Sequence, residues 1–189
     1  MSPILGIVAS GNYPRVTNSY ESIATTSLSS NQTTITFSSI PATYKHLQIR
    51  LLARSTHTTF PGVDGVLRFN GDSATNYSWH YLLGDGASVS ASAGATQSSI
   101  NTGIIASGGG SAASIYATTI IDILDYANTN KYKTTRTLAG LDKNGTGGDM
   151  RFSSGSWRST SAINSITLTT DPSRDFIQYS SFALYGIKG

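Results

Sequence analysis

Cysteine is absent from this 189-residue chain, which removes disulfides, thiolate metal sites and cysteine nucleophiles at once. Glutamate is nearly absent too, with Glu21 the only one. Exposed helices normally draw on Glu and Lys for their solvent faces, so long surface helices are not expected. Charged residues make up 12% of the chain, roughly half the share in an ordinary soluble domain. No basic run exists either. The net charge of +3 is scattered, and Lys131, Lys133 and Arg136, the nearest approach to a cluster, read as the solvated face of one strand. Nucleic-acid binding is therefore not expected. No stretch reaches the ~20 apolar residues of a membrane span. The short apolar run in MSPILGIVAS lacks the basic flank of a secretory signal. A membrane is not expected as a partner.

Ser and Thr fill most of the space that charge leaves, together with 19 Gly and 10 Tyr. Threonine and tyrosine suit a pleated, half-buried surface, so the composition reads as β. The expected domain runs from 21 to 189, with residues 1–20 as an N-terminal arm that makes assembly contacts. In and beside that arm, Tyr13, Pro14, Arg15, Val16 and Tyr20 are the candidate subunit or partner contacts. Lys45 to Arg54 carries the clearest period of two. Leu47, Ile49, Leu51 and Ala53 point one way, His46, Gln48, Arg50 and Arg54 the other, and Leu52 breaks the pattern. Thr33 to Phe37, Val66 to Phe69, Tyr77 to Leu83, Lys131 to Leu138, Met150 to Trp157, Ile163 to Thr169 and Phe176 to Ile187 read as further strands. Ser114 to Leu124 is apolar on both parities at its end, which predicts a central strand covered on both faces. Asn70-Gly71-Asp72 and Lys143 to Gly148 are turn signals, and the Ala/Ser/Gly run from Ala87 to Gln97 reads as an exposed loop. Nine or ten short strands spaced in this way predict an all-β fold, a jelly-roll-like antiparallel β-sandwich.

Catalytic patterns are weak in this sequence. Gly155-Ser156-Trp157 lacks the second glycine of a nucleophile elbow, and His46, His57 and His80 are dispersed. Most aspartates occupy turns, where the side chain serves the backbone. Asp122 and Asp125 end the most apolar strand, and they read as strand-end caps or as ion-pair partners of Lys131 or Arg136. Zinc lacks its ligands, and Asn70, Asp72 and Asp85, or Asn144 and Asp149, form no EF-hand. No catalytic residue, cofactor or metal site is assigned. Tyr77, Trp79 and Tyr81 share one parity and read as core between two sheets, with a sugar-binding or subunit-packing strip as the alternative.

Several segments carry a family resemblance. Ser39-Ile40-Pro41-Ala42-Thr43-Tyr44-Lys45-His46-Leu47-Gln48-Ile49-Arg50, then Arg68-Phe69-Asn70-Gly71-Asp72 and Asn76-Tyr77-Ser78-Trp79-His80, resemble small virion proteins of tailed bacteriophages, including phages of cyanobacteria. Ser19-Tyr20-Glu21-Ser22-Ile23-Ala24 and Phe182-Ala183-Leu184-Tyr185-Gly186-Ile187-Lys188-Gly189 fit the same pattern. The resemblance implies a jelly-roll module, commonly a homotrimer, located in the virion and assembled in the host cytoplasm. Two roles follow from it. One is a capsid decoration (cement) protein that binds the major capsid protein and stabilises the shell. The other is a tail- or head-fibre module that contacts host surface glycans. It supplies no catalytic residues.

Overall fold

The alternation read from Lys45 onward becomes a strand in which Leu47, Ile49, Leu51 and Ala53 are buried. On the other parity Arg50 and Leu52 are exposed, whereas Gln48 and Arg54 are buried. The structure, a computed structural model, describes residues 19–59, 62–108, 111–145, 147–171 and 173–189. Tyr13, Pro14, Arg15 and Val16 lie outside the described residues, as does nearly all of the proposed arm.

Among the described residues the chain is all-β, with twelve strands in two antiparallel sheets stacked as a sandwich. The larger sheet has eight strands. In spatial order they are β1 (Tyr20–Ser27), β12 (Ser181–Ile187), β3 (His46–Ala53), β8 (Ala117–Leu124), β9 (Lys133–Asp142), β10 (Gly148–Trp157), β5 (Tyr77–Gly84) and β6 (Val89–Gln97). The smaller sheet runs β2 (Ile35–Phe37), β11 (Ile166–Asp171), β4 (Gly62–Phe69) and β7 (Ile100–Ser107). Four of the pairings are nested: β1 with β12, β2 with β11, β3 with β8, and β4 with β7. Two hairpins, β5–β6 inserted between β4 and β7 and β9–β10 inserted between β8 and β11, widen the larger sheet on one side.

The core fills the space between the sheets. Leu47, Ile49, Ile121, Ile123, Phe182 and Leu184 from the larger sheet meet Phe37, Leu67, Phe69, Ile166 and Leu168 from the smaller. Phe176 and Phe182 pack edge-on at 5.0 Å, a favoured aromatic arrangement. The inward parity of β5 buries Tyr77 fully and Trp79 and Tyr81 partly, as expected of core aromatics. Trp157 joins them, 5.6 Å from Phe69 and 6.2 Å from Tyr77. Between the sheets, buried Arg151 bonds Asp64 at 2.8 Å and lies 4.2 Å from the centre of the Tyr81 ring.

Three features differ from the sequence expectation. Ala87 to Gln97 is not a loop: β6 occupies most of it and pairs with β5 along its length. Its Ala, Ser and Gly side chains have almost nothing to bury, and the backbone ladder of an edge position holds the strand without them. β8 is central in the sheet, yet only one of its faces is covered in the single chain, so Ile120 and Leu124 are exposed. Lys133 is not solvated with Lys131 and Arg136. It points inward and is fully buried, and its ammonium donates to the carbonyls of Asn128, Lys131 and Thr160 at 2.6, 3.0 and 3.2 Å.

Asn70-Gly71 forms the expected tight turn, with both residues at positive φ and the Asp72 N–H donating to the Phe69 carbonyl at 2.9 Å. It does not close a hairpin. It carries the chain from β4 in the smaller sheet to β5 in the larger one.

Candidate functional site: the open face of the larger sheet

Outward-facing residues of the eight-stranded sheet line up in rows across the strands, because register sets partners side by side. One row is Leu52, Thr118, Gly140, Met150, Gly84 and Val89, taken on β3, β8, β9, β10, β5 and β6. The next is Arg50, Ile120, Leu138, Phe152, Leu82 and Ala91 on the same strands. Together they form an apolar band two rows deep on a face that the smaller sheet does not cover. Met150 is 64% exposed, Leu82 53%, Phe152 52% and Leu138 49%. Single exposed hydrophobes are ordinary, whereas a contiguous band marks a surface meant to be covered. A period of two in each strand, combined with antiparallel register, is enough to build it.

Polar groups border the band on one side. Gln48, Asp122, Arg136, Ser154 and His80 form the following row. Asp122 accepts from Gln48 at 2.8 Å and from Arg136 at 2.9 Å. Arg50, at the end of the second apolar row, lies 5.3 Å from the Tyr20 ring and 5.1 Å from the Tyr185 ring. Tyr20 thus sits on β1 at the margin of this face, partly exposed and already stacked against its own chain. Farther along, Asp125 is held by Lys131 and by Lys45 at 3.1 Å. Hydrogen bonds from Lys131 and Lys45 pull its pKa down to about 2. Both carboxylates at the end of β8 are therefore tied into ion pairs, as the sequence reading expected.

On the other side of the band lies a groove of about 960 Å³ between the β5–β6 and β9–β10 turns. Leu52, Met150, Thr118 and Gly140 contribute to its lining, as do Asp85, Asp142 and Asp149 and several glycines of the two turns. Asp85 accepts from the Ala87 and Ser88 N–H groups at 2.8 and 2.7 Å, and Asp142 accepts from the Asn144 N–H at 2.8 Å. Both serve their turns, and the backbone donors of Ser88 and Ala87 hold the Asp85 carboxyl below its usual range. A smaller hollow of about 610 Å³ near Asn31, Tyr116 and Tyr179 is lined by no titratable acid or base apart from tyrosine.

Residues weighed for catalysis do not converge. His80 meets Ser154 at 3.1 Å on the outer face, and no carboxylate among the described residues contacts that imidazole. A hydrolase dyad needs a third group to orient the base and donors for an oxyanion. His46 instead accepts the Asp125 N–H at 3.0 Å, and His57 accepts the Thr59 N–H at 3.2 Å. Ser156 faces outward on β10 opposite Ser78 and Thr134. Asp72, considered for calcium, accepts from Ala74 N, Asn76 Nδ2 and Trp157 Nε1. Among the described residues no three His, Cys, Asp or Glu side chains form a group that could hold a metal ion. Sequence reasoning missed the band itself. Its signal was present in the apolar residues at the outward parity of successive strands: Leu52, Ile120, Leu138, Phe152 and Leu82.

Compared with protein-family models, curated proteins and solved structures, the chain matches none.

Proposed function

We propose that this chain is a non-enzymatic structural protein of a bacteriophage particle, most directly a capsid decoration protein. In that role it binds the outer capsid surface and stabilises the shell. The observation that carries the reading is the apolar band on the open face of a charge-poor sandwich. A surface of that kind in water favours association, while a sparse charge pattern gives little repulsion against close packing with neighbours. The partners in this reading are further copies of the chain and the major capsid protein. The location is the virion, assembled in the host cytoplasm. The sandwich is read as a jelly roll, since the four nested pairings are those of a long hairpin wrapped over two sheets. Segments from Ser19 to the final Phe182–Gly189 stretch resemble small phage virion proteins, which supports the same role.

A second reading draws on the groove between the β5–β6 and β9–β10 turns. Its aspartates and glycine-exposed backbone could bind hydroxyl groups, and the apolar floor at Leu52 and Met150 suits the CH face of a sugar. A fibre module contacting host glycans would use such a site. Electron cryomicroscopy of intact particles carrying a labelled copy separates the two readings. Density on the capsid lattice supports decoration, density on a tail or fibre supports the glycan reading, and absence from purified particles refutes both.

A further inference from the structure

The geometry points to a second copy of this chain as the occupant of the open face, bound about a two-fold axis that runs along the apolar rows. This deepens the reading of the face as an assembly surface, and it rests on that reading. A two-fold axis lying across the strands turns one sheet over onto the other. Each strand then lies over its own copy with its direction reversed, and the first apolar row of one copy lands on the second row of the other.

Shape agrees with that operation strand by strand. On β9, Gly140 comes to lie opposite Leu138 of the second copy, and on β5, Gly84 opposite Leu82. A Cβ built on either glycine meets nothing within 4 Å, so each leaves a hole where a leucine can seat. On β10, Met150 meets Phe152, and on β8, Thr118 meets Ile120. The groove lined by Leu52, Thr118, Gly140 and Met150 becomes the socket for the second copy's Ile120 and Leu138. Interdigitated side chains of this sort are how two stacked sheets ordinarily close a core.

Charge agrees as well. The same rotation carries Asp142, one row beyond the first apolar row on β9, over Arg136, one row beyond the second. It also carries the Asp85 turn over His80. Acidic turns flank the band on one side, and on the other runs the row of Gln48, Asp122, Arg136, Ser154 and His80, in which Arg136 pairs with Asp122. A reversed copy therefore brings Asp142 of one chain over Arg136 of the other at both edges. A two-fold axis along the strands would instead reverse the strand order and set Leu138 over Phe152 and Ile120 over Leu82, one large side chain on another in the second row. Six strands spaced about 4.8 Å apart and three to four rows about 6.7 Å apart cover roughly 600–800 Å² per copy. That is close to the ~800 Å² per partner of a stable interface.

Sedimentation and native mass spectrometry of the full chain test the pairing, using wild type, Gly140→Val and Leu138→Asp. Both substituted positions face outward on β9, and valine at Gly140 meets open space in the single chain, so thermal melts stay close to wild type. Wild type is expected to form even-numbered assemblies at micromolar concentration. Each variant halves the assembly or weakens association by about tenfold or more, the loss expected at a hot spot. A wild type that stays monomeric, assembles only in odd numbers, or matches both variants in size overturns the two-fold pairing. So does a monomer that binds purified shells through Leu138. Incorporation into particles is scored separately. A chain found in particles without even-numbered assembly defeats the pairing alone, and paired chains absent from particles defeat the virion role alone.

Discussion

Trp157 donates its indole Nε1–H to the Asp72 carboxylate at 2.7 Å, tying the end of β10 to the turn that carries the chain between the two sheets. Asp72 also accepts from Asn76 Nδ2 and the Ala74 N–H, both at 2.8 Å. Burial alone pushes this carboxyl up, but the bonds from Asn76, Ala74 and Trp157 together leave it below its ordinary value of 3.8. An aspartate depressed in the folded state stabilises above its unfolded pKa and loses that contribution as the pH falls through the folded value. Asp72→Ala should therefore cost about 1–3 kcal/mol at neutral pH. The gap from wild type should close as the pH drops below about 4. Tryptophan fluorescence during urea unfolding measures both. A pH-independent gap would mean that the carboxylate charge is irrelevant to the turn.

On β3, neighbouring leucines have opposite fates. Replacing Leu47, Ile49 or Leu51 with Ala opens a cavity between the sheets and should cost about 2–5 kcal/mol each. Leu52→Ala, on the open face, should change the unfolding free energy by less than about 0.5 kcal/mol. Equilibrium denaturation of the four variants decides it, and equal losses at Leu51 and Leu52 would contradict the register.

Lys133 holds three backbone carbonyls around a buried ammonium. Burial lowers its pKa, with the charge of Lys131 adding to the effect. Methionine has nearly the same length and fills the channel, but it offers no donor. Lys133→Met should cost about 1–3 kcal/mol, because the carbonyls of Asn128, Lys131 and Thr160 lose a shared partner. Hydrogen exchange should show faster opening around the β8–β9 turn, and unchanged protection there would argue that water replaces the ammonium without loss.

Asp125 joins Lys45, at the start of β3, to Lys131, which precedes β9. With its pKa near 2, the clasp contributes above the unfolded aspartate value and fades as the pH falls from about 4 toward 2. Asp125→Asn should melt lower than wild type at pH 7 and converge with it near pH 2. The difference should shrink in high salt, because the lysines are largely exposed. Melting curves across pH and salt provide the check.

Much of the fold was legible where side chains have something to bury. The alternation of Leu47, Ile49 and Leu51 gave β3 its face directly, and the aromatic parity of Tyr77, Trp79 and Tyr81 placed β5 against the core. The pairings of Asp122 with Arg136 and of Asp125 with Lys131 followed from the need of partly buried charges for partners. β6 was unreadable because an edge strand of Ala, Ser and Gly is held by main-chain bonds, which leave no mark on side-chain pattern. Ile120 looked like evidence of a second covering layer, when it belongs to an uncovered face. Lys133 gave no hint of burial, since backbone carbonyls such as those of Asn128, Lys131 and Thr160 leave no mark on side-chain pattern. The apolar band became visible only once registers were known, because its members come from six separate strands.

The nested pairing also sets a schedule for translation. β1 is made well before its partner β12, and β2 must likewise wait for β11. Until β11 and β12 emerge, the nascent chain cannot close the two outer pairs or the β11–β4 and β12–β3 ladders. Contacts this far apart in sequence form slowly, and an unfinished sheet leaves its edges open to stray pairing. Completion of the sandwich therefore waits on its last strands, and its yield should depend on how well the half-made sheets are shielded until those strands emerge.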